Sequence, residues 1–264
     1  MTETRKLLLE KDGPIGWIIF NQPEKRNAVS QEMWQLMPEY VDELAKDDAI
    51  RVVILRGAGE QAFVAGADIS QFKERRRNMA DEELYNKISG RGQEALSHLT
   101  KPLLAMIYGY CVGGGVSIAI TCDIRIAADD ARFGVPAARL GLGYHYHGME
   151  KLMRLVGPSN TKEIFFTART DWSAQDALRM GLINQAVPKA TLETFTRDYA
   201  LTIAKNAPLT IRSAKATVGE LVKVPAERDI AKLEKLMADC FNSEDYQEGV
   251  RAFSEKRRPQ FQGR

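Results

Sequence analysis

A glycine-punctuated stretch between apolar runs limits most sharply what this chain can fold into. It is KPLLAMIYGYCVGGGVSIAITCDIRIAADDARFGVPAARLGLGYHYHG, Lys101 to Gly148. Leu103 to Ile107 is a short apolar run with a β-branched member, which predicts a buried strand. Gly109 and the triplet Gly113, Gly114, Gly115 then let the backbone turn and approach a neighbour closely. Val116 to Ile120 is small and apolar and predicts a helix, so a strand hands over to a helix through glycine. The first N–H groups of such a helix have no partner within it and form a seat for negative charge. A second loop, AFVAGADIS (Ala62 to Ser70), follows the strand-like RVVILRG of Arg51 to Gly57. Two loops presenting backbone donors can hold one oxyanion between them.

Upstream, residues 5–9 and 15–20 read as strands joined by a Gly-Pro turn, and Ser30 caps a helix whose apolar positions Met33, Trp34, Met37, Val41 and Leu44 share one face. A helix from about Asp81 to Leu99 follows the basic run Lys73, Arg75, Arg76, Arg77, which reads foremost as a solvated face. Strands are predicted at CDIRIAA and around Arg132 to Gly134. Repeated strand and helix units with β-branched strands imply parallel sheets covered by helices, an α/β class. Beyond Gly148 the pattern is nearly all helix, with segments at Met149–Leu155, Ser159–Phe166 and Ser173–Met180, a strand at Ile183–Val187, and three long helices to about Lys256. A core of residues 1–195 and a helical region of 196–264 are expected.

At 264 residues the chain can bury a substantial core. Its net charge of +2 implies no general attraction to nucleic acid or membrane, and no run approaches the length of a membrane helix. Cys111, Cys122 and Cys240 have neither metal spacing nor the even count of a disulfide framework, which predicts reduced thiols and a cytoplasmic protein. GLGYHYHG lacks the third glycine of a dinucleotide fingerprint and no phosphate loop occurs, so neither nicotinamide nor ATP chemistry is expected. His145-x-His147 offers two ligands where zinc needs at least a third, and His98 sits on another predicted helix, so no metal is expected.

PEKRNAVS (Pro23 to Ser30), FVAGADIS (Phe63 to Ser70), KPLLAMIYGYCVGGG, CDIRIAADDARFGVP (Cys122 to Pro136), SAQDALRMGLINQAVP (Ser173 to Pro188) and EGVRAFSEKRRPQF together resemble the enoyl-CoA hydratase/isomerase, or crotonase, superfamily. The resemblance covers nearly the whole chain. It implies a spiral of ββα units with a C-terminal helical region that forms trimers, commonly paired as hexamers. It also implies a lyase acting on an acyl-CoA thioester, with coenzyme A arriving as part of the substrate and no separate cofactor. The enolate oxygen would be held by the amides of Ala67 and Gly114. Coenzyme A would lie along Lys25, Arg26, Ala28 and the turn Ala65, Gly66, Asp68, Ile69. Phe253 and Lys256 match an aromatic and a Lys that reach the acyl-CoA site in relatives.

Two positions depart from the pattern. Hydratases of the superfamily resemble one another in carrying Glu where this chain has Ser117 and Ala137. Hydration needs one group to deprotonate water and another to protonate carbon, and neither Ser nor Ala replaces a carboxylate in that work. Nearby stand Tyr144, His145, Tyr146, His147 and Glu150. The LGxxY segment around Tyr144 resembles that of methylmalonyl-CoA decarboxylases, crotonase relatives that carry a His where this chain has Ala67. Loss of CO2 generates an enolate without a base, which fits the missing carboxylates and makes Tyr144 and His145 the candidates to orient or protonate. A scaffold that binds acyl-CoA without turnover is the third alternative.

Overall fold

Val53 and Leu55 turn one way from their strand and Val52 and Ile54 the other, yet all four are fully buried. That double burial is the signature of a parallel strand covered on both faces. The computed structural model describes residues 5–68, 79–144 and 146–264. In it this strand, β3 (Val52–Gly57), lies inside a six-stranded sheet of order β1-β2-β3-β5-β7-β10. The others are β1 (Leu7–Asp12), β2 (Ile15–Phe20), β5 (Leu103–Ile107), β7 (Ile124–Ala128) and β10 (Gln185–Val187). Only β1 runs antiparallel to its neighbour.

A second sheet has four strands in the order β4-β6-β8-β9: β4 (Ala62–Ala65), β6 (Tyr110–Val112), β8 (Arg132–Gly134) and β9 (Trp172–Ser173). The chain feeds the two sheets alternately, β3 then β4, β5 then β6, β7 then β8, which is the expected spiral of ββα units. One expectation is corrected here. Between Ile107 and the glycine triplet the chain does not pass straight into a helix, because β6 intervenes and pairs with β4 and β8. Three residues are too few to show a period.

Helix α1 (Gln31–Lys46) is capped as predicted, the Ser30 hydroxyl accepting from Met33 N. Its buried face meets Ile18, Phe20, Val53 and Leu103 in one core, with α2 (Met79–His98) packed alongside. Gly92 of α2 exists for that packing, since a Cβ there would fall 2.6 Å from the Trp34 ring. The short helix α3 (Gly114–Ala119) rests on β4, and α4 (Tyr146–Thr167) breaks at Gly157-Pro158, where Gly157 takes φ 78°. Helix α5 (Ala174–Met180) carries a capping box between Ser173 and Asp176.

On the far face of the large sheet Ile15, Trp17, Ile54 and Met106 pack with Leu192 and Ala200 of α6 (Leu192–Ala204). This helix spans residues 195 and 196 while lying on the sheet. The remaining helices are α7 (Pro208–Leu221), α8 (Ile230–Phe241) and α9 (Glu244–Ser254). The all-helical end thus holds four helices where three were expected, because the Pro208 start and the Pro225 turn divide it more finely. Among the described residues no helix is long and apolar enough to cross a membrane.

Candidate active site at the junction of two loops

The two sequence-predicted loops touch. A Cβ placed on Gly114 would lie 3.5 Å from the Gly66 carbonyl carbon, so the backbones pass in van der Waals contact. Gly115 is tighter still, since its Cβ would meet the Val64 carbonyl oxygen at 2.1 Å. Only glycine allows α3 to sit this close to β4.

A single parallel bridge between Val29 and Ala67 orients the first loop. Val29 N donates to Gly66 O (2.9 Å), and Asp68 N donates to Val29 O (3.1 Å). In this pattern the bridged residue's own N–H and C=O face the opposite side. The Ala67 amide is therefore turned away from the ladder. Gly114 is the first residue of α3, where the amide has no acceptor within the helix. The site therefore has two adjoining backbone donors of the kind that stabilise an oxyanion. The helix runs only from Gly114 to Ala119, so its contribution is these local N–H groups rather than the field of a long helix dipole.

Asn27 holds the loops in place. Fully buried and in the left-handed region (φ 56°), it donates to Ala58 O and Ala62 O at 3.0 and 2.8 Å and accepts from Gln22 N at 3.0 Å. Its neighbour Ala28 is buried as well. Ala65 N donates to Arg26 O, which ties the same two segments together.

The cations expected to meet phosphate are already engaged. Lys25 Nζ lies 2.9 Å from Asp68 Oδ2, which also accepts from Gln22 Nε2 at 3.2 Å, and the Arg26 guanidinium stacks 4.7 Å over the Tyr110 ring. Asp68, 5% exposed, turns its carboxylate inward to these partners. Phe253, 87% exposed, lines an apolar groove with Met237, Phe241, Val250 and Phe261 rather than the Gly66–Gly114 junction. Lys256 follows α9 in the left-handed region. Ile69, His145 and the Arg75–Arg77 run lie outside the described residues.

Among the described residues, Ser117, Ala137 and Tyr144 are neutral. Ser117, one turn after Gly114, donates to Gln93 Oε1 at 3.4 Å, and Ala137 is buried. Tyr144 packs edge-on against Phe165 at 5.1 Å, and partial burial, reinforced by the nearby Tyr85, raises its pKa above the usual tyrosine value. Tyr85 in turn accepts from Trp34 Nε1 at 3.3 Å. Helix α2 thus supplies Gln93 and Tyr85, neither of which was singled out from the sequence. The available signal was a Gln at the margin of the stripe Ile88, Gly92, Leu96. Cys111 and Cys122 are not reserve nucleophiles, because burial raises both thiols, that of Cys122 to about 12.

The enoyl-CoA hydratase/isomerase family model matches residues 10–264. A short-chain-enoyl-CoA hydratase of Clostridium acetobutylicum is 35% identical over 256 residues, 97% of each chain. A carnitinyl-CoA dehydratase of Proteus mirabilis is 34% identical, covering 99% of this chain and 100% of the relative. Among solved structures, an enoyl-CoA hydratase/carnithine racemase from Magnetospirillum magneticum superposes with a TM-score of 0.94 at 32% identity, covering 99% of this chain and 97% of that one. With the same fold over nearly its full length and relatives of this closeness, the chain belongs to the enoyl-CoA hydratase/isomerase family.

Proposed function

We propose that the protein is a lyase acting on an acyl-CoA thioester, and that it holds the thioester enolate between the amides of Ala67 and Gly114. The observation carrying this reading is the bridge that turns the Ala67 amide away from Val29 at the point where Gly66 meets Gly114. Coenzyme A would enter as part of the substrate along Lys25, Arg26, Ala28 and Ala65 to Asp68. The Lys25–Asp68 pair would open or share its charge to meet a phosphate.

Within that chemistry, decarboxylation of a malonyl-type ester is the reaction these side chains favour. Ser117 and Ala137 provide no carboxylate, and Ser117 is bonded to a neutral amide. A carboxylate base is superfluous when the electron pair comes from a breaking bond to CO2. Tyr144, a phenol whose pKa burial raises, would orient the substrate or return a proton. Hydration is the second reading, favoured by the names of the relatives. The test is crotonyl-CoA and methylmalonyl-CoA side by side, following loss of the enoyl chromophore and release of CO2. CO2 release that falls on Tyr144→Phe supports decarboxylation, whereas rapid hydration rejects it. Binding with no turnover of either would reject both in favour of a scaffold.

The reading includes a homotrimer or hexamer. It is supported by the exposed apolar side chains Leu221, Val222 and Ile230 around the end of α7 and the start of α8. Light scattering at micromolar concentration tests it, and a monomer would reject it.

A further inference from the structure

Gln93 reaches Ser117 from a separate helix, and among the described residues the pair's hydrogen-bonding capacity is only partly used. With Ser117 Oγ donating to Gln93 Oε1, among the described residues the carboxamide keeps both N–H donors and Ser117 keeps oxygen lone pairs. Both residues are half-buried, and Ser117 lies one helical turn beyond the Gly114 amide. Among the described residues the pair is therefore a neutral donor group one turn from the Gly114 amide that would face the thioester oxygen.

We propose that Gln93, braced by Ser117, is a specificity-determining residue that recognises the carboxylate of a carboxylated acyl group, an inference that rests on the decarboxylation reading above. The chemistry requires a donor of this kind. In the step itself the bond between the α-carbon and the carboxyl carbon breaks, and its electron pair passes to the α-carbon and thioester oxygen. CO2 leaves, and a proton from Tyr144 or water then completes the α-carbon. Negative charge thus moves from the carboxylate to the oxygen between Ala67 and Gly114. A cation on the carboxylate would stabilise the ground state and lose that interaction as the charge departs, which raises the barrier. A carboxylate base at position 117 would repel the substrate outright. A neutral amide fixes the group's orientation while holding its charge more weakly than an ion pair would.

The test compares kcat/KM for methylmalonyl-CoA with the Kd of propionyl-CoA, which has the same chain without the carboxylate and is not consumed. Gln93→Met is close in size and removes the donors; Gln93→Glu is nearly isosteric and adds repulsion. The expected result for Gln93→Met is a loss of about tenfold or more in kcat/KM with propionyl-CoA binding within about twofold, and Gln93→Glu should lose more. If the wild-type protein releases CO2 but Gln93→Met matches it, this inference fails while the decarboxylation reading stands. A fall in kcat/KM matched by an equal rise in the propionyl-CoA Kd would mark Gln93 as a packing residue and overturn the inference equally. No CO2 from the wild-type protein overturns the parent reading and this one together.

Discussion

Replacing Gly115 by alanine tests the contact on which the site is built. The added methyl would lie 2.1 Å from the Val64 carbonyl oxygen and 3.0 Å from its carbonyl carbon, where ordinary contact begins at 3.4 Å. The obstacle is strand backbone, not a side chain that can rotate aside, so α3 must lift from β4 by about 1 Å. Overpacking of this kind costs about 1–3 kcal/mol, partly offset by the gain of up to about 1 kcal/mol that alanine brings to a helix. A fall in Tm of about 2–8 °C is expected for a chain of this size. The same lift moves the Gly114 amide away from Ala67, and a misplacement of about 1 Å can cost about 100-fold in rate. Activity should therefore fall much further than stability. Gly114→Ala is the control for stability, since its Cβ would rest at an ordinary 3.5 Å from Gly66. Thermal unfolding and turnover of whichever thioester the wild-type protein consumes provide the measurements. A Gly115→Ala protein with unchanged Tm and rate, or a Gly114→Ala protein equally destabilised, would refute the packing account.

Other consequences can be checked separately. Asn27→Ala removes three hydrogen bonds, two of them buried, and places alanine at φ 56°, so a loss of about 2–4 kcal/mol is expected in urea unfolding; a midpoint unchanged from wild type would contradict it. The Tyr144 phenol has its pKa raised on folding, so its contribution to stability is complete below the ordinary tyrosine pKa and is lost as pH rises through the folded value. Ultraviolet titration of the wild-type protein minus Tyr144→Phe should accordingly show one tyrosine ionising late, and a difference curve centred at or below the ordinary value would count against this. Asp245 is buried and accepts from Gln262 N at 2.6 Å and Gly263 N at 2.8 Å, so Asp245→Ala should speed amide exchange at both positions by at least about tenfold. Unchanged protection would mean the tail is held by something else, such as the contact of Arg51 with Gln262 O.

Glycine and hydrophobic pattern carried the architecture into the sequence. The triplet at Gly113–Gly115 and the AGAD turn are legible because close backbone approach leaves no substitute for a missing side chain, and β3 and β5 are legible because burial on both faces demands continuous apolar runs. What stayed hidden was set by tertiary contact. Strand β6 is too short to carry a period. Gln93 lies 24 residues from Ser117 and meets it only through the packing of α2 beside α3. Lys25 reads as a free cation in sequence, and its partner Asp68 is 43 residues away. The exposed face of Phe253 looks, in sequence, like any aromatic on an amphipathic helix.

The bridge between Val29 and Ala67 also makes the sign of the site a matter of parity. Along an extended segment successive peptide groups point to alternate sides, so the residue bridged to Val29 decides whether a donor or an acceptor faces outward at a given spot. Inserting or deleting one residue between Val64 and Ala67 would leave the loop's length and composition almost unchanged. It would nevertheless tend to exchange an outward N–H for an outward C=O beside Gly114. A pocket that attracts an anion would then repel it and welcome a cation, with no charged residue gained or lost. Loop length at this point is therefore as much a determinant of chemistry as any side chain, and drift by a single residue is a route by which the same fold could lose its reaction altogether.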